Sequence, residues 1–182
     1  MTVFYTGKGD DSKTGILGGG RVEKDSACID ALGDIDELNS SIGIAVSLCK
    51  HSHLSDMLKD VQNDLFIISA DLASFGNTSS IKGLRSIGGN SVKKLETYID
   101  EIGKDVPELK GFVLPGGSDL GAHLHYSRAI ARRAERAVIR ASRDIKVSGS
   151  IKGYMNRLSS FLFAAALYAN AKGSRIEGHP WY

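Results

Sequence analysis

The chain has 182 residues, of which 42% are hydrophobic and 24% charged, a composition typical of a folded globular domain and unlike that of a disordered chain. Its formal net charge of +2 at pH 7 lacks the basic excess that general binding to a nucleic-acid backbone favours, so any anion site must be local. The longest apolar run, from Phe161 to Ala169, is far shorter than the roughly 20 residues that cross a bilayer, and the N-terminus shows no signal-peptide pattern, so we expect a cytoplasmic protein.

The first 24 residues are rich in glycine and carry no helical period, which predicts a loop whose backbone can approach a ligand closely. The loop lacks the Lys-Ser/Thr pair of a Walker A sequence, and this disfavours generic P-loop chemistry. Other polar groups in it suit phosphates and a divalent cation. These are Thr6, Asp10, Thr14 and Lys24, together with the backbone at Gly9. A flexible surface loop explains the glycines almost as well.

Along the rest of the chain, apolar residues recur at spacings of three and four, which predicts five helices. We expect them at about 25–50, 58–75, 92–102, 118–146 and 150–172, with Asp25 and Ser118 as N-caps and a long loop at 76–90. No alternating strand pattern competes with them, and short connections favour antiparallel neighbours. The expected fold is all-α, an antiparallel five-helix bundle in one domain, with a loop over 1–24, the bundle over 25–172 and a tail over 173–182 that is a flap or frayed.

Three arginines in the fourth helix, Arg128, Arg132 and Arg136, are spaced four apart and form one stripe on its surface. The apolar residues Ile130, Ala134, Val138 and Ala141 lie on the opposite side, so the stripe should point away from the core. A solvated face is the simple interpretation. Arg133 and Glu135 complete the block Arg-Arg-Ala-Glu-Arg, a guanidinium cluster with its own carboxylate that suits a polyphosphate.

In the fifth helix, Asn156 and Phe163 are seven residues apart and therefore share nearly the same face. The second half of this helix is apolar all round, which indicates burial on every side and suggests a subunit interface. Core packing alone is the simpler explanation of Phe163. His123 and His125 diverge by about 200° on a helix and are expected to be ordinary helix residues rather than joint metal ligands.

Ordered sequence blocks extend over nearly the whole chain. They are Tyr5-Thr6-Gly7-Lys8-Gly9-Asp10, Leu17-Gly18-Gly19-Gly20-Arg21-Val22-x-Lys24-Asp25, Gly33-Asp34-Ile35-Asp36-Glu37-Leu38-Asn39, Phe112-Val113-Leu114-Pro115-Gly116-Gly117, Leu124-His125-x-x-Arg128, Arg132-Arg133-Ala134-Glu135-Arg136 and Tyr154-Met155-Asn156-Arg157-Leu158-Ser159. Their order and spacing resemble the PduO-type ATP:cob(I)alamin (corrinoid) adenosyltransferases. The blocks depart from the family pattern at Gly7, where relatives usually carry a basic residue, and at Ser12, where a glycine is common.

This resemblance implies a homotrimer that binds ATP with Mg²⁺ between neighbouring subunits and takes cobalamin or a related corrinoid as second substrate. The implied ATP contacts are Thr6, Gly7, Lys8, Gly9, Thr14, Gly15, Lys24, Arg132, Arg133, Ala134, Glu135, Arg136 and Asn156. Asp36 would pair with Arg128 across the interface. Phe112 and Phe163 would wall the corrinoid pocket, where Phe112 would displace the lower axial base of the cobalamin.

The implied reaction is attack of cobalt(I) on C5′ of ATP with loss of triphosphate, after an electron donor has reduced cob(II)alamin. Arg132, Arg136 and Lys24 would stabilise the departing triphosphate, and Arg128 with Asp36 would complete the catalytic group. The sequence assigns no metal ligand. Two alternatives stay open: a helical nucleic-acid-binding module that uses the arginine stripe, and a structural trimer that binds nothing.

Overall fold

The amphipathic segments fold as helices in a computed structural model, which describes residues 4–77, 81–83, 85–109, 111–175 and 177–181. The elements in chain order are β1 (Lys13–Gly15), β2 (Arg21–Glu23), α1 (Ala27–Leu48), α2 (Ser52–Ala73), α3 (Gly89–Gly103), α4 (Asp119–Ala141) and α5 (Gly149–Lys172). The predicted five-helix bundle is therefore confirmed. Residues 1–3 of the predicted N-terminal loop, 78–80 and 84 of the second loop, Lys110 before the fourth helix, and Ile176 and Tyr182 of the tail lie outside the described residues.

One apolar core joins all five helices. Helix α1 packs against α2 and α4, α4 packs against α5, and α5 packs against α3. Short connections separate α1 from α2 and α4 from α5, so the chain reverses direction within each pair. Every helix contributes at least one fully buried side chain to the core, among them Leu38, Leu65, Leu95, Leu124 and Phe161.

The apolar second half of α5 is covered by helices of its own chain. Phe161, Leu162, Ala165 and Ala166 have no exposed surface in the single chain, because α3 and α4 pack against α5. Burial within one chain therefore explains these four residues, whereas Phe163 and Ala164 remain half-buried, and the subunit interface that the composition suggested stays a prediction. Within the described ranges, no helix combines the length and the apolar character needed to cross a membrane.

The helix ends agree with the sequence in part. Ser118 caps α4, as predicted, and its side chain accepts a hydrogen bond from the Gly121 amide at 3.0 Å. The prediction of Asp25 as the first N-cap is wrong by one residue, because Ser26 holds the extended N-cap conformation and α1 begins at Ala27. Helix α4 ends at Ala141 rather than near residue 146, since the chain turns there and packs Ile145 against the core.

A small antiparallel hairpin in the N-terminal segment is the main departure from the sequence-based fold. Strands β1 and β2 pair with Thr14 opposite Val22, and the connection contains three consecutive glycines with φ of 96°, 102° and 94°. Strands of three residues are too short for an alternating pattern to be visible in the sequence. The hairpin contacts the bundle through the Leu17 amide, which donates to the Ala73 carbonyl at 2.9 Å.

A polar cluster inside the bundle joins three helices. The Asp64 carboxylate of α2 accepts from the Tyr154 hydroxyl of α5 at 3.0 Å and lies 3.0 Å from the Lys94 ammonium of α3. Burial, together with the charge of Asp64, raises the pKa of Tyr154, so this hydroxyl stays protonated and acts as a donor. Because every group in the cluster has a partner, it fixes how α2, α3 and α5 sit against one another.

Candidate functional site

An open cavity of about 770 Å³ lies beside α3, α4 and α5. Its walls are mainly apolar and come from the three helices and from the irregular segment that precedes α4. The lining residues are Ile99, Leu109, Gly111, Phe112, Val113, Arg128, Arg132, Ser159, Ser160, Phe163 and Ala164. Concave, mainly apolar sites of this size with a few polar groups are typical of ligand pockets in proteins.

The two phenylalanines assigned to the corrinoid lie on this cavity. Phe112 comes from the segment before α4 and is 78% exposed, so it is not part of the core. Phe163 comes from α5 and is half-buried, with the Arg128 guanidinium carbon 5.9 Å from its ring centre. A cation over an aromatic face is attracted by the ring quadrupole, which orients Arg128 at the cavity wall.

Arg128 is also a group in need of a partner. Its Nε atom is buried, and it has no hydrogen-bond partner among the described residues. Asp36, its expected partner, is exposed on α1 and forms no side-chain hydrogen bond or ion pair within the described part of the chain. One chain by itself therefore does not bring Asp36 and Arg128 together, and their pairing between subunits stays a prediction.

The residues from Arg132 to Arg136 lie in different environments. Arg132 and Arg136 are exposed, and neither forms an ion pair or side-chain hydrogen bond with the described residues, so both guanidinium groups are free for an anion. Arg133 instead turns to α1. Its Nε donates to Asp34 Oδ1 at 3.0 Å and its Nη2 donates to Glu37. The hydrogen bond with Glu37 raises the pKa of Arg133.

The rest of the block is also engaged within the chain. Ala134 is completely buried in the core, and Glu135 accepts a hydrogen bond from Asn156 Nδ2 of α5 at 3.0 Å. The carboxylate therefore pairs with the amide of Asn156, not with the neighbouring guanidinium groups as the block suggested. This bond joins α4 to α5 next to the free arginines and fixes the exposed Asn156 side chain.

The N-terminal residues assigned to ATP lie in and around the hairpin. Thr6, Gly7, Lys8, Gly15 and Lys24 are exposed, whereas Gly9 and Thr14 are half-buried. The Lys24 ammonium donates to the Gly9 carbonyl at 2.7 Å, so it closes the loop on itself. Within the described residues, no hydrogen bond or ion pair connects this segment to Arg132, Arg136 or Asn156. A single chain thus carries two separate sets of the expected ATP contacts.

Arg21 and Asp11 are structural residues of this loop that the sequence interpretation missed. The Arg21 guanidinium donates to both oxygens of Asp11, at 2.7 and 2.5 Å, and to the Lys8 carbonyl at 2.6 Å. The hydrogen bond from Arg21 lowers the pKa of the Asp11 carboxyl, so it stays ionised. The sequence does contain a signal for this pair, because Asp11 and Arg21 carry opposite charges on the two sides of the glycine run. The signal can be recognised only if these two stretches are assumed to pair as a hairpin.

A model of the family described as Cobalamin adenosyltransferase matches residues 4–169. The chain belongs to the cobalamin adenosyltransferase family. It is 41% identical over 173 residues to a corrinoid adenosyltransferase of Bacillus subtilis, covering 93% of this chain and 87% of that one. It is 39% identical over 176 residues to a corrinoid adenosyltransferase of Mycobacterium tuberculosis, covering 95% and 91%.

Solved structures of the family have the same fold as this chain. A variant of the PduO-type ATP:corrinoid adenosyltransferase from Lactobacillus reuteri, complexed with cobalamin and ATP, superposes with a TM-score of 0.91 at 34% identity, covering 99% of this chain and all of the other. Another variant, complexed with ATP, superposes with a TM-score of 0.86 at 35% identity, covering 96% and 98%. The resemblance to the PduO-type adenosyltransferases is thus confirmed.

His125 is less ordinary than its position in this cobalamin adenosyltransferase sequence suggested. It is 2% exposed, and neither ring nitrogen has a hydrogen-bond partner among the described residues. Its ring lies 5.9 Å from that of Phe163, and its Nε2 lies 3.9 Å from Glu177 Oε1. Burial lowers the pKa of His125, the charge of Arg128 lowers it further, and Glu177 opposes both. The neutral ring therefore packs behind the cavity wall.

A metal site made by protein side chains alone is not evident. In the described ranges, no three His, Cys, Asp or Glu side chains are grouped so that they could hold an ion. Mg²⁺ commonly keeps several waters and is held by substrate phosphates with one or two carboxylates. The Mg²⁺ that the resemblance implies therefore stays a prediction.

Proposed function

We propose that this chain is an ATP:cob(I)alamin adenosyltransferase that moves the 5′-deoxyadenosyl group of ATP to the cobalt of cob(I)alamin or a related corrinoid. The observation that carries the proposal is the cavity, where Phe112 and Phe163 lie beside Arg128 and Arg132 in a chain of this family. The site combines an apolar wall, which the corrinoid needs, with cationic groups, which the triphosphate of ATP needs.

The apolar wall suits the corrinoid. A volume of about 770 Å³ accommodates a large part of a corrin macrocycle, and the opening leaves room for its peripheral groups. The exposed Phe112 ring can occupy space beneath the cobalt that water or a polar axial ligand would otherwise fill. A cobalt without a lower ligand is easier to reduce to cobalt(I), the nucleophile of the reaction.

The free arginines suit the triphosphate. Cobalt(I) forms a bond to C5′ while the bond from C5′ to oxygen breaks, and triphosphate leaves with the electron pair, so no proton has to be moved. Arg132, Arg136 and Lys24 stabilise the negative charge that grows on the leaving group. Mg²⁺ bound to the phosphates would supply further positive charge there.

A homotrimer would unite the separate sets of ATP contacts, with the N-terminal segment of one subunit closing over α4 and α5 of its neighbour. Unpaired Asp36 and the buried Nε of Arg128 support this arrangement, since each lacks a partner among the described residues. Exposed apolar side chains on α1 and α4, Ile44, Tyr126 and Ile139, supply surface for the contact. We expect Asp36→Asn to weaken the trimer or its activity, measured by sedimentation and turnover; an unchanged trimer with full activity would contradict the pairing.

The proposal includes an electron donor that reduces cob(II)alamin before transfer. The cytoplasmic location stays a prediction from the sequence. The decisive experiment mixes the purified protein with Mg-ATP and cob(I)alamin prepared by a chemical reductant under anaerobic conditions, and follows adenosylcobalamin by its visible spectrum. A folded protein that forms no adenosylcobalamin would refute the proposal. Binding to DNA or RNA that weakens steeply with salt would favour the nucleic-acid alternative instead.

A further inference from the structure

Residues 111–117, which we name the Phe112 segment, form no helix or strand, and the C-terminal tail holds them in place. The Leu114 amide donates to the Gly178 carbonyl at 2.8 Å, and His179 Nδ1 donates to the Phe112 carbonyl at 2.9 Å. These bonds hold the backbone at Phe112 and two residues after it, while the Phe112 side chain lines the cavity. We name residues 177–179 the tail clamp.

The tail clamp is itself fixed by one buried amide, Asn170 of α5, which has no exposed surface. Its Nδ2 donates to Glu177 Oε1 at 2.6 Å and to the Gly116 carbonyl at 2.9 Å. Its Oδ1 accepts from both the amide and the hydroxyl of Ser118, each at 2.8 Å. One side chain therefore connects α5, the Phe112 segment, the N-cap of α4 and the tail clamp.

Two glycines make room for this amide. A Cβ atom at Gly117 or at Gly121 would overlap the Asn170 side chain. Gly117 also has a φ of 96°, a conformation that residues with a side chain rarely adopt. The backbone near Phe112 therefore has glycine at the two positions where a side chain would displace Asn170. The hydrogen bonds of Asn170 depend on this local backbone shape.

Glu177 is the part of the tail clamp that faces inward. Its side chain is only 10% exposed, and besides Asn170 it lies 3.9 Å from His125 Nε2. His125 in turn packs against the Phe163 ring. A nearly buried carboxylate is stable only with hydrogen-bond partners, so its position is well defined. Glu177 therefore lies next to His125, which packs against Phe163, and next to Asn170, which bonds to the segment that carries Phe112.

We propose that Glu177 and Asn170 are positioning residues for the corrinoid, which hold Phe112 against the cobalt face through the tail clamp. This rests on the proposed function, because it assigns a role in the same cavity. Neither residue touches the cavity itself among the described residues, so neither acts on the substrates directly. The tail is then a part of the corrinoid site, and not a flap or a frayed end.

The test compares four variants of the full chain. Glu177→Ala removes the contact with Asn170, while Glu177→Gln keeps an oxygen that can accept the same hydrogen bond. His179→Ala removes only the bond to the Phe112 carbonyl, and it serves if Glu177→Ala fails to fold. Lys172→Ala is the matched control, because it breaks the 3.0 Å ion pair with Asp105 near the end of α5 without touching the Phe112 segment.

The first measurement is amide hydrogen exchange of the Phe112 segment without any ligand. We expect exchange at Leu114 to become about tenfold faster or more in Glu177→Ala, which corresponds to loss of one hydrogen bond. His179→Ala should show a smaller increase, and Glu177→Gln and Lys172→Ala should match the wild type. Unchanged exchange in both Glu177→Ala and His179→Ala would overturn the proposal, whatever their activities.

The second measurement is the visible spectrum of bound cob(II)alamin with Mg-ATP. In Glu177→Ala we expect the ratio of four-coordinate to five-coordinate cobalt to fall about tenfold, with ATP affinity changed less than about twofold, and Glu177→Gln should restore the ratio. Faster exchange with an unaltered cobalt spectrum would overturn the positioning role. If the wild type itself forms no adenosylcobalamin, the proposed function fails, and that result is distinct from an effect seen only in the variants.

Discussion

The two sides of α4 use the same kind of side chain for different purposes. Arg133 faces α1, where Asp34 and Glu37 neutralise its charge and tie the two helices together. Arg132, its neighbour in the chain, faces the open cavity and has no carboxylate partner among the described residues. Guanidinium groups of the same sequence block thus serve the fold on one side and remain available to an anion on the other. The difference teaches that, in a basic sequence cluster, the residues paired with carboxylates must be separated from the unpaired ones before a function is assigned to the cluster.

Phe161 and Phe112 show the same contrast between a residue that serves the fold and one that faces the cavity. Replacing Phe161 should give the largest effect on stability. Phe161→Ala should lower the free energy of unfolding by roughly 3–5 kcal/mol, because it leaves a cavity in the core where Phe161 has no exposed surface. Phe112→Ala should cost far less, since that ring is 78% exposed. Urea denaturation measures both.

Phe112→Ala should instead impair the chemistry, because the lower face of the cobalt becomes accessible to its axial ligand. We expect loss of the four-coordinate cob(II)alamin signal in the presence of Mg-ATP, with ATP binding retained. An equal four-coordinate signal in variant and wild type would contradict this role, and a large loss of stability would assign Phe112 to packing.

Arg132→Ala should have the largest effect on turnover among the arginine variants. Loss of a preorganised group that stabilises developing charge costs roughly 2.7–4 kcal/mol, so we expect kcat to fall about 100-fold to 1,000-fold with helicity unchanged. Arg140→Ala is the matched control, since this arginine is exposed on the same helix and lies 3.9 Å from Asp30. Equal turnover in the two variants would remove the distinction between the sides of α4.

Arg133→Ala should show a smaller effect, and on stability. Its side chain is 45% exposed, and exposed ion pairs contribute about 0–1 kcal/mol, so thermal unfolding should shift by only a few degrees. The ATP contact that the resemblance implies for Arg133 stays a prediction, which ATP titration of this variant tests. A loss of ATP affinity as large as that of Arg132→Ala would mean that Arg133 leaves α1 when the nucleotide binds.

The smallest expected effect concerns pH. Burial lowers the pKa of His125 in the folded chain, so the unfolded chain binds a proton there first as the pH falls. Stability should therefore decline as the pH drops through the ordinary histidine value of 6.5 and toward the lower pKa of the folded state. His125→Leu should reduce this decline between pH 7.5 and 5.5 in chemical denaturation, with His123→Gln as the control. An identical slope in wild type and His125→Leu would show that His125 is not its source.

Much of the helical frame follows from the sequence because helical periodicity is a local property. The positions of Ile130, Ala134, Val138 and Ala141 predicted which side of α4 is buried, and all four are buried in the structure. Ser118 was identified as an N-cap for the same reason, since a cap acts within three residues of itself. The hairpin of β1 and β2 was missed because its strands are too short to show a period.

The sequence by itself determined the helices, the outward position of Arg132 and Arg136 and, through its ordered blocks, the family. Only the tertiary structure decided which arginine is neutralised, that most of the apolar half of α5 is covered within its own chain, and that Asn170 joins the tail to the Phe112 segment. The physical reason is that a sequence pattern is local, whereas these contacts join residues that are far apart along the chain. A period shows which face of a helix is apolar but not which element covers it. The bond between Asn170 and Ser118 spans 52 residues, and Arg133 lies 99 residues from Asp34, so neither contact leaves a local pattern in the sequence.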